Sequence, residues 1–283
     1  MSITSTRVDP TNHAQEQAWD GTEGAYWATH AEQFDDALRH YQPDFHAAAG
    51  IGTDDRVLDV GCGTGLTTRA AARAAPAGEA LGIDLSGRMI DLARALAERE
   101  GVPNARFERA DAQVHPFPTA GVDAVISRTG AMFFGRPEVA FANLARALRP
   151  DGRLTLLTWQ SAVRNEWIGA FARALAGWEP PAPPRGTPGP FSLADPDEVR
   201  ALLGDAGFAD VRCEGLARPM VYGRDAEEAH AFVLGLLGWM LAGRTPAEQE
   251  QASDALRSTL QEHEGPDGVA LASATWLVTA RRA

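Results

Sequence analysis

Residues 57–65 read Val57-Leu58-Asp59-Val60-Gly61-Cys62-Gly63-Thr64-Gly65. An apolar strand closes on a carboxylate and then on three glycines at alternate positions. Glycine lets the backbone turn sharply and approach a ligand closely, and a helix starting at Leu66 would aim its free N–H groups at that ligand. The pattern is that of a loop for a nucleotide-like ligand, with one qualification. Asp59 would repel a pyrophosphate and suits a cationic group better. The spacing is also G-x-G-x-G, whereas the dinucleotide fingerprint is G-x-G-x-x-G.

Outward from this loop the chain alternates strand and helix, the signature of a parallel sheet with helices on both faces. Arg56 to Val60 is the first predicted strand and Leu66 to Ala75 its helix. Glu79 to Asp84 is the second strand, and Ser86 is the N-cap of a helix that runs to about Glu100 and stops near Gly101 and Pro103. Strands follow at Ala105–Ala110, Val122–Ser127 and Arg153–Trp159, with a helix at Pro137–Arg149. A late helix at Pro196–Ala206 leads to strands around Val211–Ala217 and Ala270–Arg281, the last read as an edge-side or inserted strand.

Composition narrows the function classes. The 283 residues are 45% hydrophobic, ample for a core, and carry a formal net charge of -12. Such an acidic chain attracts neither a phosphate backbone nor anionic headgroups, so a small-molecule partner is expected, with no nucleic acid and no membrane. The apolar run Ala231–Leu241 is shorter than the roughly 20 residues that span a bilayer. It reads as a buried helix roofing the site. Met1–Pro10 has no apolar core of a secretory signal, which points to the cytoplasm. Cys62 and Cys213 show neither disulfide-framework nor metal-ligand spacing, so no metal is expected. Lysine is absent altogether. That excludes a phosphate-loop lysine, a Schiff base and a lysine general base.

Five motifs now stand in order: Asp59 to Gly65, Gly82-Ile83-Asp84-Leu85-Ser86, Arg109-Ala110-Asp111-Ala112, Val122 to Arg128, and Leu148-Arg149-Pro150-Asp151-Gly152-Arg153-Leu154. In this set, covering residues 50–160, the chain resembles the class I S-adenosylmethionine-dependent methyltransferases of quinone biosynthesis and bacterial natural-product pathways. The resemblance implies a Rossmann-like α/β fold with a seven-stranded, mostly parallel sheet. Around it stand an N-terminal helical cap segment (1–50) and a methyltransferase domain (51–283), whose helical insertions at 160–192 and 223–267 form a substrate cap. It also implies a division of labour in cofactor binding. Asp84 takes the ribose hydroxyls, and Asp111 with the Ala112 N–H meets the adenine, which Leu85 and Met89 sandwich. Gly61, Cys62 and Gly63 lie along the methionyl part. Its ammonium meets Asp59 and backbone carbonyls, including that of Ser127.

The reaction itself asks chiefly for alignment of donor and acceptor and exclusion of water. A base is needed only for an acceptor protonated at its reacting atom, and the candidates are His115, His30 and His40. Arg128, at the end of the fourth strand, either orients an acceptor carbonyl or carboxylate or pairs with a nearby acid. Tyr26, Trp27, Phe133, Phe134, Trp167 and Trp239 are candidates for a flat apolar pocket that stabilises a sulfonium by cation–π contact, or else are core. Strand four ends in Ser127-Arg128-Thr129-Gly130, not in the Asn/Asp-Pro-Pro-aromatic sequence of relatives that methylate nucleic acids or glutamine. The expected acceptor is therefore a small hydrophobic or aromatic metabolite. Two alternatives remain: an NAD(P)-dependent oxidoreductase, and a non-catalytic protein that binds S-adenosylmethionine.

Overall fold

A computed structural model describes residues 7–178, 184 and 186–283. Residues 1–6 of the Met1–Pro10 stretch, and 179–183 and 185 of the expected insertion at 160–192, therefore lie outside the described residues. Four short helices open the chain: α1 (His13–Trp19), α2 (Thr22–Thr29), α3 (Ala31–Ala37) and α4 (Gln42–Ala49). There follow β1 (Arg56–Val60), α5 (Leu66–Ala74), β2 (Glu79–Asp84), α6 (Gly87–Arg99), β3 (Ala105–Arg109), β4 (Val122–Arg128), α7 (Pro137–Ala147) and β5 (Leu148–Trp159). The second half holds α8 (Glu166–Ala176), α9 (Pro196–Asp205), β6 (Phe208–Gly223), α10 (Ala226–Leu237), α11 (Pro246–Glu262), β7 (Glu264–Gly265) and β8 (Gly268–Arg282).

The sheet runs in the order β3-β2-β1-β4-β5-β8-β6, with the two-residue β7 paired to β8. The first five strands are parallel, and β8 runs antiparallel to both its neighbours, β5 and β6, so that β6 again points the way of the first five. The expected seven-strand path is thus present, with a short eighth strand beside it. Helices cover both faces, so the parallel strands read as near-continuous apolar runs: Leu58, Ala124, Val125, Leu154, Leu156 and Leu157 are all 0% exposed.

Strand order reverses between β1 and β4. At such a switch point adjacent loops part in opposite directions and leave a crevice at the carboxyl ends of the strands. The local chemistry agrees with this layout, since the Ser86 hydroxyl caps α6 by accepting from the Met89 N–H.

Two expectations need correction. β6 spans far more than Val211–Ala217, because it pairs with β8 alone; an edge position tolerates Pro219 and the exposed charges that broke the pattern. Of the two readings of the last strand the inserted one holds, since β8 lies inside the sheet between β5 and β6. The run Ala231–Leu241 is only partly a buried helix. α10 stops at Leu237, a 3-10 turn covers Gly238–Leu241, and Trp239 is 71% exposed. No helix among the described residues is long and apolar enough to cross a membrane.

Candidate cofactor and acceptor site

The carboxyl ends of β1, β2 and β4 converge on the glycine loop. Gly61 has φ 63°, and a Cβ there would stand 2.8 Å from the Gly130 Cα, so the loops after β1 and β4 touch through their backbones. Gly63 has φ 53°, and among the described residues a Cβ there meets only the Met89 Sδ, at 3.7 Å. The loop is therefore open above Gly63 and walled by Met89, which is 4% exposed.

Asp59 forms the floor. It is 0% exposed; its Oδ2 accepts from the Thr67 and Thr68 hydroxyls at 2.6 Å each, while its Oδ1 is buried and without a partner among the described residues. Burial raises its pKa, opposed by the two threonines and by Arg128. Thr67 and Thr68, in the first turn of α5, went unnoticed in the sequence. They fix the carboxylate through one oxygen and leave the other without a donor among the described residues.

Asp84 and Asp111 part company. Asp84 is half-buried and accepts one N–H on each oxygen, from Gly63 and from Ser86, both at 2.9 Å. Burial raises its pKa against those two bonds and that of the Leu85 N–H. A carboxylate has about four acceptor sites, so capacity remains for hydroxyls. Asp111 has none left. Its oxygens accept from Asn12 Nδ2 twice, from Asp9 N and from Gln113 N, all at 2.9 Å. In this conformation it anchors the N-terminal segment.

The other expected contacts sort themselves by geometry. The Cys62 N–H donates to the Ile83 carbonyl, and its side chain packs with Ile90, Ala93 and Phe107, so it fills space beneath the loop. Burial raises its thiol pKa well above the usual value. The Ser127 hydroxyl donates to the Val60 carbonyl at 2.6 Å and accepts from the Ala131 N–H at 3.0 Å, clamping β1 to the turn after β4. The Ala112 carbonyl accepts from Asn143, and the half-buried Leu85 follows Asp84 with its carbonyl held by Arg109. Arg128 is 13% exposed; its Nη2 donates to Asp35 of α3 at 2.5 Å, and its Nη1 is buried without a partner among the described residues.

Of the histidines, His115 stands 3.9 Å from Glu108 and against Phe117, neither of them in the loop cluster. His30 stacks on Tyr26, and its Nδ1 lies 2.9 Å from the Tyr26 carbonyl. A carbonyl only accepts, so Nδ1 carries the proton, and in the neutral ring Nε2 keeps its lone pair.

The aromatics divide into groups. Trp19 meets Trp27 edge-on at 5.6 Å and Phe133 at 5.1 Å, and Trp27 lies flat on Phe34. Tyr26 donates to the Phe232 carbonyl and packs on α10. Trp167 neighbours Trp159 and Phe191, with its Nε1 buried and unpartnered among the described residues. Phe134 turns to Phe141 on α7. Trp239, exposed, joins none of these groups. Among the described residues no group of three or more His, Cys, Asp or Glu is placed to hold a metal.

The residues present fit S-adenosylmethionine: an open glycine cradle, an orphaned Asp59 oxygen for a cationic group, and Asp84 with free acceptor capacity at the end of β2. Residues 57–152 match the family model of a methyltransferase domain. The chain is 32% identical over 209 residues to the nocamycin O-methyltransferase of Saccharothrix syringae, covering 69% of this chain and 72% of that one. It is 27% identical over 217 residues to the uncharacterized methyltransferase YcgJ of Bacillus subtilis, covering 73% and 75%. The crystal structure of YcgJ superposes with TM-score 0.56 at 22% identity, over 86% of this chain and 98% of that one, which carries the likeness of fold. The nicotinamide-dependent reading falls with these matches. The chain belongs to the class I S-adenosylmethionine-dependent methyltransferases.

Proposed function

We propose that this methyltransferase acts on a small hydrophobic or aromatic metabolite, held between the N-terminal helices and the turn after β4. The observation that carries this reading is the position of Trp19, whose ring touches Trp27 of α2 on one side and Phe133, beyond β4, on the other. The contact runs aromatic side chains from the N-terminal helices to the switch-point crevice. Flat apolar walls of this kind recognise planar acceptors and exclude water. The similarity to a relative named for nocamycin O-methylation supports the reading, as does the net charge of -12, which disfavours nucleic acid. The helices of 1–50, with α8, α10 and α11, serve in this view as the cap. Two free cysteines accord with work in the cytoplasm.

Bound S-adenosylmethionine supplies a methyl group on a positively charged sulfur. The chain's part is to hold and align. Asp84 accepts from the ribose hydroxyls, Gly61 and Gly63 admit the methionyl chain, Met89 and Leu85 flank the base, and Asp59 faces the ammonium. Ala112 and the Ser127 carbonyl line the same crevice. Positioning of this kind contributes about 7–11 kcal/mol to lowering a bimolecular barrier. For a hydroxyl acceptor, His30 is the base favoured over His115, because its Nδ1–H bond to Tyr26 leaves Nε2 free to take a proton.

The test is transfer of label from methyl-labelled donor to a panel of phenolic, quinol and polyketide-like acceptors, run beside tRNA, DNA and denatured cell protein. Label is expected in the small molecules. Label confined to tRNA or protein overturns the acceptor class while leaving the methyltransferase assignment in place.

A further inference from the structure

Two buried atoms of opposite charge stand without partners at the switch point, Asp59 Oδ1 and Arg128 Nη1. Asp59 pairs with Ile126 across the β1–β4 ladder, and Arg128 lies two residues beyond Ile126. Side chains two apart on a strand share a face, so Asp59 and Arg128 project from the same side of the sheet. Arg128 therefore lies on the strand next to β1, two residues beyond the level of Asp59. Its charge reaches Asp59, whose ionised form it favours.

The surroundings hold the guanidinium in place. Asp35 grips Nη2, and the next residue, Thr129, sits at φ 61°, a rare conformation for a β-branched residue. Thr129 is kept there by its N–H bond to the Leu157 carbonyl and its hydroxyl bond to the Arg128 carbonyl. A fixed guanidinium edge with a bare N–H in a buried site calls for a planar anion.

Resting on the methyltransferase reading of this site, we infer that Arg128 binds the α-carboxylate of the methyl donor's methionyl end, while Asp59 faces its α-ammonium. The two orphaned atoms match the two charges of one amino-acid group lying over Gly61 and Gly63. An anionic acceptor would use Arg128 alone. Asp35, on this account, is a positioning residue that aims Nη1.

Isothermal titration of full-length wild type, Arg128→Met and Arg128→Lys with S-adenosylhomocysteine and with 5′-methylthioadenosine tests the assignment. The second ligand keeps the adenosyl thioether and lacks the amino-acid group. Arg128→Met is expected to lose at least tenfold in S-adenosylhomocysteine affinity and to keep 5′-methylthioadenosine affinity within twofold, with Arg128→Lys between. Unchanged S-adenosylhomocysteine affinity, or equal loss for both ligands, overturns it. A measurement on wild type alone is independent of variant folding: the α-carboxamide of S-adenosylhomocysteine should bind at least tenfold more weakly than the acid, and equal binding overturns the inference. If wild type binds neither nucleoside, the parent reading fails instead.

Discussion

Asn12 and Asp111, 99 residues apart, share two hydrogen bonds of 2.9 Å through one amide nitrogen, and the Asn12 Oδ1 accepts from the Gly135 N–H at 2.7 Å. One side chain thus ties the N-terminal segment to the loop after β3 and to the turn after β4. Nearby, Asp20 accepts from the Gly87 N–H at the start of α6, and Glu16 and Asp20 both pair with Arg109. The N-terminal segment is strapped across the loop after β3, the turn after β4 and the start of α6.

Removing that strap has a definite expectation. Asn12→Ala leaves a 2% exposed carboxylate with two fewer donors, and an unsatisfied buried group costs about 1–3 kcal/mol. A domain above 150 residues loses about 2–4 °C per kcal/mol. The variant's melting temperature should fall by several degrees, and Asn12→Asp, which sets a second carboxylate against the first, should fall further. Thermal unfolding of Asn12→Ala at the wild-type temperature would show that the strap is held elsewhere.

Asp84 is expected to matter for binding more than for folding. A charge-assisted hydrogen bond is worth about 1.5–3 kcal/mol, so Asp84→Ala should weaken S-adenosylhomocysteine by roughly ten- to hundredfold. Asp84→Asn, with one oxygen left to accept, should lose less. Titration calorimetry decides, and undiminished affinity in Asp84→Ala removes the residue from the ribose.

Asp59 should likewise matter for binding, and its charge should even oppose folding. Burial raises its carboxyl above the usual 3.8, so the folded state holds a proton more tightly than the unfolded one, and stability falls as pH rises from the unfolded pKa through the folded one. Above that window the buried charge is a constant cost. Asp59→Asn removes the charge and should be at least as stable as wild type at pH 7, with a flatter pH profile, yet should bind S-adenosylhomocysteine at least tenfold more weakly. A variant that is both unstable and fully competent to bind would contradict the account of the orphaned oxygen.

Much of this was legible in the sequence where the signal is local. β1 and β2 were found to the residue, because an unbroken apolar run ends in a motif, and α6 to within a residue, because Ser86 caps it. β6 was not, since its extent depends on pairing with β8, a partner about 60 positions away that lets Pro219 and Arg218 sit on an edge. In the site, motif spacing led to Asp84 and Gly63, which the fold brings within one hydrogen bond of each other. The partners of Asp111 and Arg128 did not: Asn12 and Asp35 come from helices 99 and 93 residues upstream, and no periodicity reports such contacts. The expected buried helix over Ala231–Leu241 failed at its end, because an apolar run does not reveal that the helix stops at Leu237.

Helices α8 and α11 carry a pH-sensitive tie of their own. His263, at the end of α11, faces Glu166, at the start of α8, with Nε2 to Oε1 at 3.2 Å, and Glu166 Oε2 accepts from the Ala272 N–H of β8 at 2.8 Å. Burial works against the His263 charge, but the Thr259 carbonyl and Glu166 together raise its pKa above 6.5; the Ala272 N–H, and then His263, lower that of Glu166 below 4.5. The His263 contribution is complete below about pH 6.5 and is lost as pH rises through its elevated folded value. The Glu166 contribution is complete above about pH 4.5 and is lost as pH falls through its depressed folded value. The tie is therefore strongest between about pH 4.5 and 6.5. Glu166 is 43% exposed on its side chain, so solvent screening limits the pair to at most about 1 kcal/mol. His263→Gln should lower the melting temperature by a few degrees or less inside that window and progressively less above it, with the difference shrinking in high salt. A melting difference that grows from pH 6 to pH 8.5 would show that His263 acts through packing and not through its charge.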